Sequence, residues 1–247
     1  MERIAVFISG YVRSFYECID SWENILDTSK YEYDFFINTY DEYGYSHSTI
    51  YNVDLNHKVN IPRVLNSLGK YGTVVSYNST PTDDGDNKPY FTNHRFRLMF
   101  KKIYLCNEDY KKHKKKTSTE YLYTIRMRFD LFFPEKVDLP IPKPNEAYFP
   151  AMFGFAERGE RIRPDGKGGW TVPVATSFRE THGPTDILND QFAVCGERAM
   201  DLYSDCYTNF IPIACDALLH KKFTNDNEIV TKISDFKQCV FSRTFRG

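Results

Sequence analysis

With 32 basic and 33 acidic side chains, the 247-residue chain has a net charge of -1, so no overall basic field favours nucleic acid as a partner. Hydrophobic residues form 41% of the chain and aromatic residues 16%, which supports a large core. No stretch approaches the ~18 apolar residues of a transmembrane helix, and the first strand pattern begins at Arg3 without the apolar segment of a secretory signal. We therefore expect no membrane span and a location in the cytoplasm (the host cytoplasm if the protein is viral).

The first half of the chain alternates between strand and helix patterns, which is typical of an α/β sheet. The predicted elements are a strand at Arg3–Ser9, a helix at Ser14–Leu26, a strand at Tyr33–Thr39, a helix at Pro62–Leu68, a strand at Gly72–Tyr77, a helix at Phe91–Lys112 and a central strand at Glu120–Phe133. We expect residues 1–133 to form a nucleotide-binding half.

The second half of the chain has a less regular pattern. It is predicted to contain a proline-rich extended connector over Pro134–Pro150, a strand at Phe149–Phe153, a loop over Glu157–Thr171, a strand at Asp190–Cys195, helices at Glu197–Asn209 and Cys215–Phe223, and a strand-like tail from Ile229. No composition shift marks a domain boundary. We therefore predict a single domain over residues 1–247, with residues 134–247 as an acceptor-binding and catalytic half.

The cysteines form no CxxC pair and are scattered among the predicted core elements. This spacing favours buried, reduced thiols over disulfides or zinc ligands. The six cysteines are Cys18, Cys106, Cys195, Cys206, Cys215 and Cys239.

The turn after the first strand is the first candidate binding site. Ser9 and Gly10 allow the backbone to approach a ligand closely, and Arg13 offers a bidentate contact to a phosphate. The start of the following helix supplies free N–H groups to an anion. A tight turn with a surface arginine explains the same residues without a ligand.

The end of the second strand carries Thr39, Tyr40 and Asp41. An aromatic ring and a carboxylate at the carboxyl end of a strand can stack on a base and hydrogen-bond to a ribose, since ligands of open α/β sheets bind at that edge. An ordinary strand end is the alternative.

The central strand, YLYTIRMRFDLFF, places three charged residues in an apolar pattern. Arg126, Arg128 and Asp130 alternate along it, so they are predicted to lie on one face. Charges are rarely buried without a partner, and two cations with one anion suit a diphosphate and its metal ion. A structural Arg–Asp pair between a strand and a helix is the alternative.

Two further groups of polar residues lie in the second half. Asp190 opens a predicted strand after a turn-rich segment, where a carboxylate can act as a general base or merely cap a turn. Asp216 and His220 are four residues apart on one helical face, which suits a metal, a sugar or a surface pair.

These segments together resemble a family of glycosyltransferase-like proteins of bacteria and large DNA viruses. The opening IAVFISGYVRSF is similar to the family's ISGxxRxF start, and YLYTIRMRFDLFF to its strand ending in R-x-R-x-D-L. The other segments that carry the resemblance are YDFFINTYD, NHRFRLMFKKIYLCNEDYKKHK, NDQFAVCGERAMDLYSD and ALLHKKF. Each motif is loose by itself, whereas their order and spacing along nearly the whole chain are specific.

The resemblance implies a GT-A-like fold: a mixed, mostly parallel central sheet flanked by helices, with a Rossmann-like nucleotide-binding half. It also implies transfer of a sugar from a UDP-sugar to a glycan or glycoprotein acceptor. Within the family, the match points to transferases that build chlorovirus capsid glycans, with UDP-xylose as the donor.

A D-x-D sequence closes the central strand of such enzymes and holds a divalent metal. The matching triplet here is Arg128-Phe129-Asp130, which keeps only the last carboxylate. Two arrangements stay open. Asp130 can hold Mn²⁺ or Mg²⁺ with His220 as a further ligand, or Arg126 and Arg128 can neutralise the diphosphate without a metal.

The resemblance also distributes roles among the remaining candidates. Asp190 is the expected general base of an inverting transfer, and Trp170 and Asp216 are expected to contact the acceptor. The residues expected to bind the nucleotide are Ser9, Gly10, Arg13, Thr39, Tyr40, Asp41, Arg95, Arg126 and Arg128.

Two other functions are compatible with the sequence. A non-catalytic module could bind a nucleotide or a glycan with the same fold. A nucleotidyltransferase would release pyrophosphate, whereas a glycosyltransferase would release a nucleoside diphosphate. The sequence leaves the oligomeric state open.

Overall fold

The computed structural model describes residues 1–12, 14–42, 58–81, 92–150, 163–164, 170–171, 191–209, 219, 222–223, 225–234 and 239–240. Its strands are β1 (Glu2–Gly10), β2 (Tyr31–Tyr40), β3 (Thr73–Thr80), β4 (Thr124–Met127), β5 (Leu131–Phe132), β6 (Glu146–Pro150), β7 (Arg163–Pro164), β8 (Trp170–Thr171), β9 (Ala193–Cys195), β10 (Val230–Ser234) and β11 (Cys239–Val240). Its helices are α1 (Phe15–Cys18), a 3-10 helix (Ile19–Asn24), α2 (Ile61–Leu68), α3 (Thr92–Thr117) and α4 (Glu197–Ser204).

A seven-stranded sheet organises the described part of the chain, in the order β10-β6-β9-β4-β1-β2-β3. Strand β9 is antiparallel to both of its neighbours, and the other four pairings in the sheet are parallel. The predicted fold class, a mixed and mostly parallel α/β sheet flanked by helices, is therefore confirmed. Strands β5 and β11 form a separate antiparallel pair, as do β7 and β8.

Two apolar layers cover the two faces of the sheet. Successive side chains of a strand alternate between faces, so Ile4, Val6 and Ile8 of β1 pack in one cluster. Phe7 packs in the other cluster, on the α3 face, where its ring contacts the rings of Phe36 and Tyr110. Burial on both faces explains why β1 and β2 read as nearly continuous apolar runs.

The segment predicted as one helix over Ser14–Leu26 is instead a short α-helix followed by a 3-10 helix. The Ser21 hydroxyl donates to the carbonyl of Cys18 at 2.6 Å, and the Trp22 indole donates to the carbonyl of Leu131 at 3.0 Å. These local and tertiary hydrogen bonds accompany the tighter helical geometry, which a hydrophobic period alone does not reveal.

The central strand predicted over Glu120–Phe133 is wrong as a single element. Strand β4 ends at Met127, a turn follows, and β5 begins at Leu131 in a different sheet. Arg126 lies on β4, whereas Arg128 and Asp130 lie in the turn. The three charged side chains therefore do not share one strand face, because the pairing partner changes from β9 to β11 within this segment.

The proline-rich connector ends earlier than predicted, since Glu146–Pro150 already forms strand β6 between β9 and β10. Helix α4 ends at Ser204 rather than Asn209. The strand-like tail is confirmed by β10. The predicted helix over Cys215–Phe223 falls largely outside the described residues.

Four of the cysteines have described side chains, and all four are buried and free, as predicted. Burial raises the pKa of each of these thiols, which keeps them protonated. Within the described ranges, no helix combines the length and the apolar character that crossing a membrane requires. The four cysteines are Cys18, Cys106, Cys195 and Cys206.

Candidate functional site

The strand order reverses at β1. Strands β2 and β3 continue from β1 in one direction, whereas β4 pairs with its other side. All four strands are parallel, so their carboxyl ends meet at one edge. Open α/β sheets bind ligands in the crevice beyond the carboxyl ends at such a reversal. Here that position is defined by Gly10 at the end of β1 and by the turn after Met127.

The turn after β1 is fixed by its backbone. Gly10 has a φ of 107°, and a Cβ atom built there would have no other atom within 4 Å. Thr39 is fully buried, and its hydroxyl donates to the Gly10 carbonyl at 2.6 Å. The turn therefore requires glycine for its φ and faces open space, while Thr39 holds the turn in place. Arg13 lies outside the described residues.

Three polar side chains share the α3 face near the carboxyl ends of β1, β2 and β4. Ser9 pairs in register with Asn38, and Phe7 with Arg126. Ser9 is 1% exposed and Asn38 3%, and neither Ser9 Oγ nor Asn38 Oδ1 has a hydrogen-bond partner among the described residues. Buried polar atoms normally have partners, so these two oxygens are candidates for hydrogen bonds to a ligand.

Arg126 is a buried cation in the described part of the chain. It is fully buried, and one of its terminal nitrogens donates to the carbonyl of Gln191. Its Nε and second terminal nitrogen have no hydrogen-bond partner among the described residues. No ion pair joins Arg126 to a carboxylate in the described part of the chain. A buried cation in that state is costly, which points to an anion as its missing partner.

Arg128 and Asp130 form a bidentate pair. Arg128 Nε donates to Asp130 Oδ1 at 2.8 Å, and a terminal nitrogen donates to Oδ2 at 2.5 Å. The Asp130 side chain is 2% exposed and that of Arg128 is 20% exposed. The structural alternative for these two residues, an Arg–Asp pair, is thus present, although within a turn rather than between a strand and a helix.

The described residues do not fit the metal that the resemblance implied. Both carboxylate oxygens of Asp130 bind the Arg128 guanidinium. Among the residues that the structure describes, no group of three or more His, Cys, Asp or Glu side chains could hold a metal ion. His220, the further ligand predicted from the sequence, lies outside the described residues.

Tyr40 is more deeply buried than a ring that stacks on a nucleotide base. It is 5% exposed, the Tyr11 ring stacks on it at 4.2 Å between centroids, and Lys102 Nζ lies 4.4 Å from its centroid. Tyr11, directly after Gly10, is the more exposed ring of the two. We therefore expect Tyr11 rather than Tyr40 to present an aromatic face at the crevice.

Among the described residues, only one of the two carboxylate oxygens of Asp41 has a hydrogen-bond partner. Its Oδ2 accepts a hydrogen bond from Lys58 at 2.8 Å, which raises the pKa of that lysine. Its Oδ1 has no hydrogen-bond partner among the described residues. Asp41 thus keeps one acceptor oxygen for a hydroxyl group at the end of β2.

Sequence reasoning missed Lys102. It is 1% exposed, and its ammonium group donates to the Thr39 carbonyl at 3.0 Å and to the Thr80 hydroxyl. A lysine within the apolar stripe of a predicted helix, beside Ile103, was the signal that could have revealed it. Lys102 ties the carboxyl ends of β2 and β3 to α3.

Several predicted site residues are not brought together by the described structure. Arg95 lies in α3 and Trp170 opens β8, which pairs with β7. Asp190, Asp216 and His220 lie outside the described residues, so their roles stay predictions.

The described residues form a mixed, mostly parallel α/β sheet whose strand order reverses at β1, the position at which open α/β sheets bind ligands. No family model matches the chain. No curated protein matches it either. Among solved structures, it is similar to a nucleoside-diphosphate-sugar pyrophosphorylase from Vibrio cholerae RC9, at 11% sequence identity and a TM-score of 0.45, covering 94% of this chain and 92% of that chain.

Proposed function

We propose that the protein transfers a sugar from a nucleotide-sugar donor to a glycan acceptor, with the donor diphosphate bound by Arg126. The observation that carries this proposal is the fully buried guanidinium at the strand-order reversal, two of whose nitrogens have no hydrogen-bond partner among the described residues. A guanidinium matches the geometry of phosphate oxygens, and such charge-assisted hydrogen bonds are stronger than neutral ones.

A nucleotide-sugar suits the other groups at this edge. Gly10 leaves open space for the approach of a phosphate, and the following Tyr11 offers a ring to a base. Asp41 keeps an acceptor oxygen for a ribose hydroxyl. The motifs ISGYVRSF and YTIRMRFDLFF, which resemble those of glycosyltransferase-like proteins, contribute the glycosyl-transfer part of the proposal.

The chemistry follows from where charge develops. When the acceptor hydroxyl attacks the anomeric carbon, the bond from that carbon to the diphosphate oxygen breaks and negative charge collects on the leaving diphosphate. A preorganised cation in a buried site stabilises that charge in the transition state. Asp190 is proposed as the base that takes the acceptor proton, which would make the transfer inverting.

Asp130 is assigned a positioning role in this proposal. Its two oxygens bind the Arg128 guanidinium, and we propose that this guanidinium is a second cation that contacts the diphosphate. We accordingly propose transfer without a divalent metal. UDP-xylose stays the proposed donor, a glycan or glycoprotein the proposed acceptor, and the cytoplasm the proposed location.

The test incubates the protein with a panel of UDP-sugars, UDP-xylose first, and measures UDP release with EDTA or with Mn²⁺. We expect UDP release that EDTA does not abolish. Calorimetry with UDP supplies the binding readout, and absence of UDP binding with and without Mn²⁺ would refute the proposal.

The same assay separates the two alternative functions. Release of pyrophosphate instead of UDP from a nucleoside triphosphate and a sugar phosphate would identify a nucleotidyltransferase. UDP binding without turnover, unchanged by Asp190→Asn, would identify a non-catalytic module. For an active enzyme we expect Asp190→Asn to lose about 10²–10⁴-fold in rate.

A further inference from the structure

A cavity lies at the amino-terminal edge of the sheet, opposite the carboxyl ends of the strands. Its volume is about 210 Å³, and its lining includes Asn24, Asp27, Tyr33, Tyr123, Asp138 and Ile141. Tyr33 is the third residue of β2, and Tyr123 immediately precedes β4. At ~3.3 Å per residue, the six steps from Ile4 to Gly10 along β1 separate this cavity from the crevice by about 20 Å.

Two tyrosines on neighbouring strands form the floor of the cavity. Tyr33 pairs in register with Ile4, and the pairing of Ala5 with Thr124 sets Tyr123 beside the other side of Ile4. All three residues pack in the same apolar cluster, on the face opposite α3. The two aromatic rings therefore flank one aliphatic side chain and lie side by side beneath the cavity.

The hydroxyl of Tyr123 gives the cavity a polar group. Tyr123 as a residue is 4% exposed, and its hydroxyl is not one of the fully buried oxygens without a partner in the described part of the chain. Burial raises the pKa of Tyr123, which keeps this hydroxyl neutral and able to donate. A neutral tyrosine hydroxyl that lines a cavity can donate to an acceptor oxygen of a ligand bound there.

The wall of the cavity is the connector after β5. The Val137 amide donates to the Asn24 carbonyl at 2.8 Å, and the Asn24 side-chain amide donates to the Phe133 carbonyl at 2.8 Å. These bonds fix the connector over the 3-10 helix. At the mouth, Ile141 is 55% exposed and adds an apolar contact to the polar lining.

The charges of the lining nearly cancel. Three carboxylates face two ammonium groups, and Asp27 lies 3.3 Å from Lys30 and 4.0 Å from Lys136. Glu23 and Asp138 are exposed to solvent. An anion would therefore compete with Asp27 for the lysines, and a cation would find only solvated carboxylates. A neutral ligand fits this balance best.

We propose that this cavity is an accessory binding site for one neutral sugar unit of a glycan, remote from the site of transfer. Ile141 contacts the C–H face of a sugar ring, while the Tyr123 hydroxyl, Asp138 and the Asn24 side-chain oxygen bind its hydroxyls. The volume is below the ~300–1,000 Å³ of pockets for larger ligands, which restricts the site to a single ring.

The test uses methyl glycosides of neutral hexoses and pentoses, screened by saturation-transfer NMR and titrated against the full chain. Tyr123→Phe removes only the hydroxyl, so the fold is expected to survive. We expect Tyr123→Phe and Asp138→Ala each to weaken glycoside binding about three- to tenfold. Tyr104→Phe, a tyrosine of α3 whose ring contacts Tyr207, is the matched control and should leave binding unchanged.

Absence of glycoside binding to the wild-type chain would overturn the proposal. So would glycoside binding that survives Tyr123→Phe and Asp138→Ala but is lost in an Arg126 variant, since that would assign the sugar to the crevice. UDP calorimetry on the same samples reports the crevice separately. Glycoside binding that is lost in Tyr123→Phe supports the accessory site whether or not UDP binds, and UDP binding without glycoside binding refutes it.

Discussion

Arg126 and Arg128 lie two residues apart but have opposite electrostatic surroundings. Arg126, on β4, is fully buried and keeps two nitrogens without a partner among the described residues. Arg128, in the turn that follows, is bound by both oxygens of Asp130. The difference shows which charge has a carboxylate partner in the folded protein: Arg128 pairs with Asp130, whereas no carboxylate pairs with Arg126 among the described residues. A paired charge satisfies the protein, whereas an unpaired buried charge is retained at a cost in stability.

The largest effect is expected when Arg126 is replaced, which removes the charge without a carboxylate partner. Arg126→Met should lower kcat/KM for the UDP-sugar about 10²–10³-fold, because it removes the cation that stabilises the leaving diphosphate. Its thermal midpoint should stay unchanged or rise, because an unpaired buried charge is replaced by an apolar chain. Steady-state UDP release and thermal denaturation measure the two quantities.

Arg126→Lys serves as the control for this first variant. It keeps a positive charge but lacks the planar fork, so it should recover only part of the lost activity. A large loss of stability in Arg126→Met with unchanged UDP binding would show that Arg126 is a structural residue.

The next effect concerns the paired charge. Asp130→Asn should lower the free energy of unfolding by about 2–3 kcal/mol, because it removes the anion that holds a half-buried guanidinium. Arg128→Met should destabilise the protein as well, since it takes both guanidinium hydrogen bonds from a carboxylate that is 2% exposed. Urea denaturation of both variants measures these changes.

A metal role for Asp130 would give a different pattern. Mn²⁺ would then raise the thermal midpoint of the wild-type protein in the presence of UDP, and Asp130→Asn would abolish that rise. We expect no such Mn²⁺-dependent difference between the two proteins.

A smaller effect is expected at the turn of the crevice. Gly10→Ala should cost about 1–2 kcal/mol of stability, because a φ of 107° is unfavourable for a residue with a Cβ atom. UDP binding should weaken in parallel, since the turn would shift. Gly69→Ala is the matched control: its φ of -57° is open to any residue. Equal effects of the two substitutions, measured by urea denaturation and calorimetry, would contradict this account.

The smallest effect concerns a charge pair near the surface. Hydrogen bonds from Lys232 and from the Lys143 amide lower the pKa of Glu146. The stability that this ionised carboxylate contributes is therefore present above the unfolded-state pKa and is lost as the pH falls through the lower folded-state pKa. Acid denaturation of Glu146→Gln should show a slightly flatter pH dependence below about pH 5 than the wild-type protein. An identical profile would show that the pair contributes nothing measurable.

The sequence predicted the regular part of the fold well. Strands β1 and β2 and helix α3 follow from apolar periodicity, and the alternation of strand and helix gave the α/β class. The sequence-based prediction was wrong where strand pairing in the folded protein sets the end of a strand. The apolar pattern of YLYTIRMRFDLFF runs through the turn at residues 128–130 without a break, so only the change of strand partner reveals the end of β4.

The sequence predicted where some of the site candidates lie, and their binding roles stay predictions. Ser9, Gly10 and Thr39 lie at the carboxyl ends of β1 and β2, as predicted, and the Thr39 hydroxyl holds the turn by its hydrogen bond to the Gly10 carbonyl. Tyr11 and Lys102 were missed: Tyr11 has no local signal, and the position of Lys102 beside Ile103 in the helix does not reveal what its ammonium group contacts. Their importance depends on the distance to Tyr40, which strand order sets.

By itself, the sequence determined which residue types reach the carboxyl ends of the strands, because periodicity fixes the strands and their ends. The tertiary structure decided which charges are paired. The turn after β4 brings the Arg128 guanidinium onto the carboxylate of Asp130, two residues away, whereas the β9 pairing buries Arg126 beside a carbonyl that cannot neutralise it. Coulomb interactions fall off with distance and strengthen in a buried site, so only the folded positions could separate the two arginines.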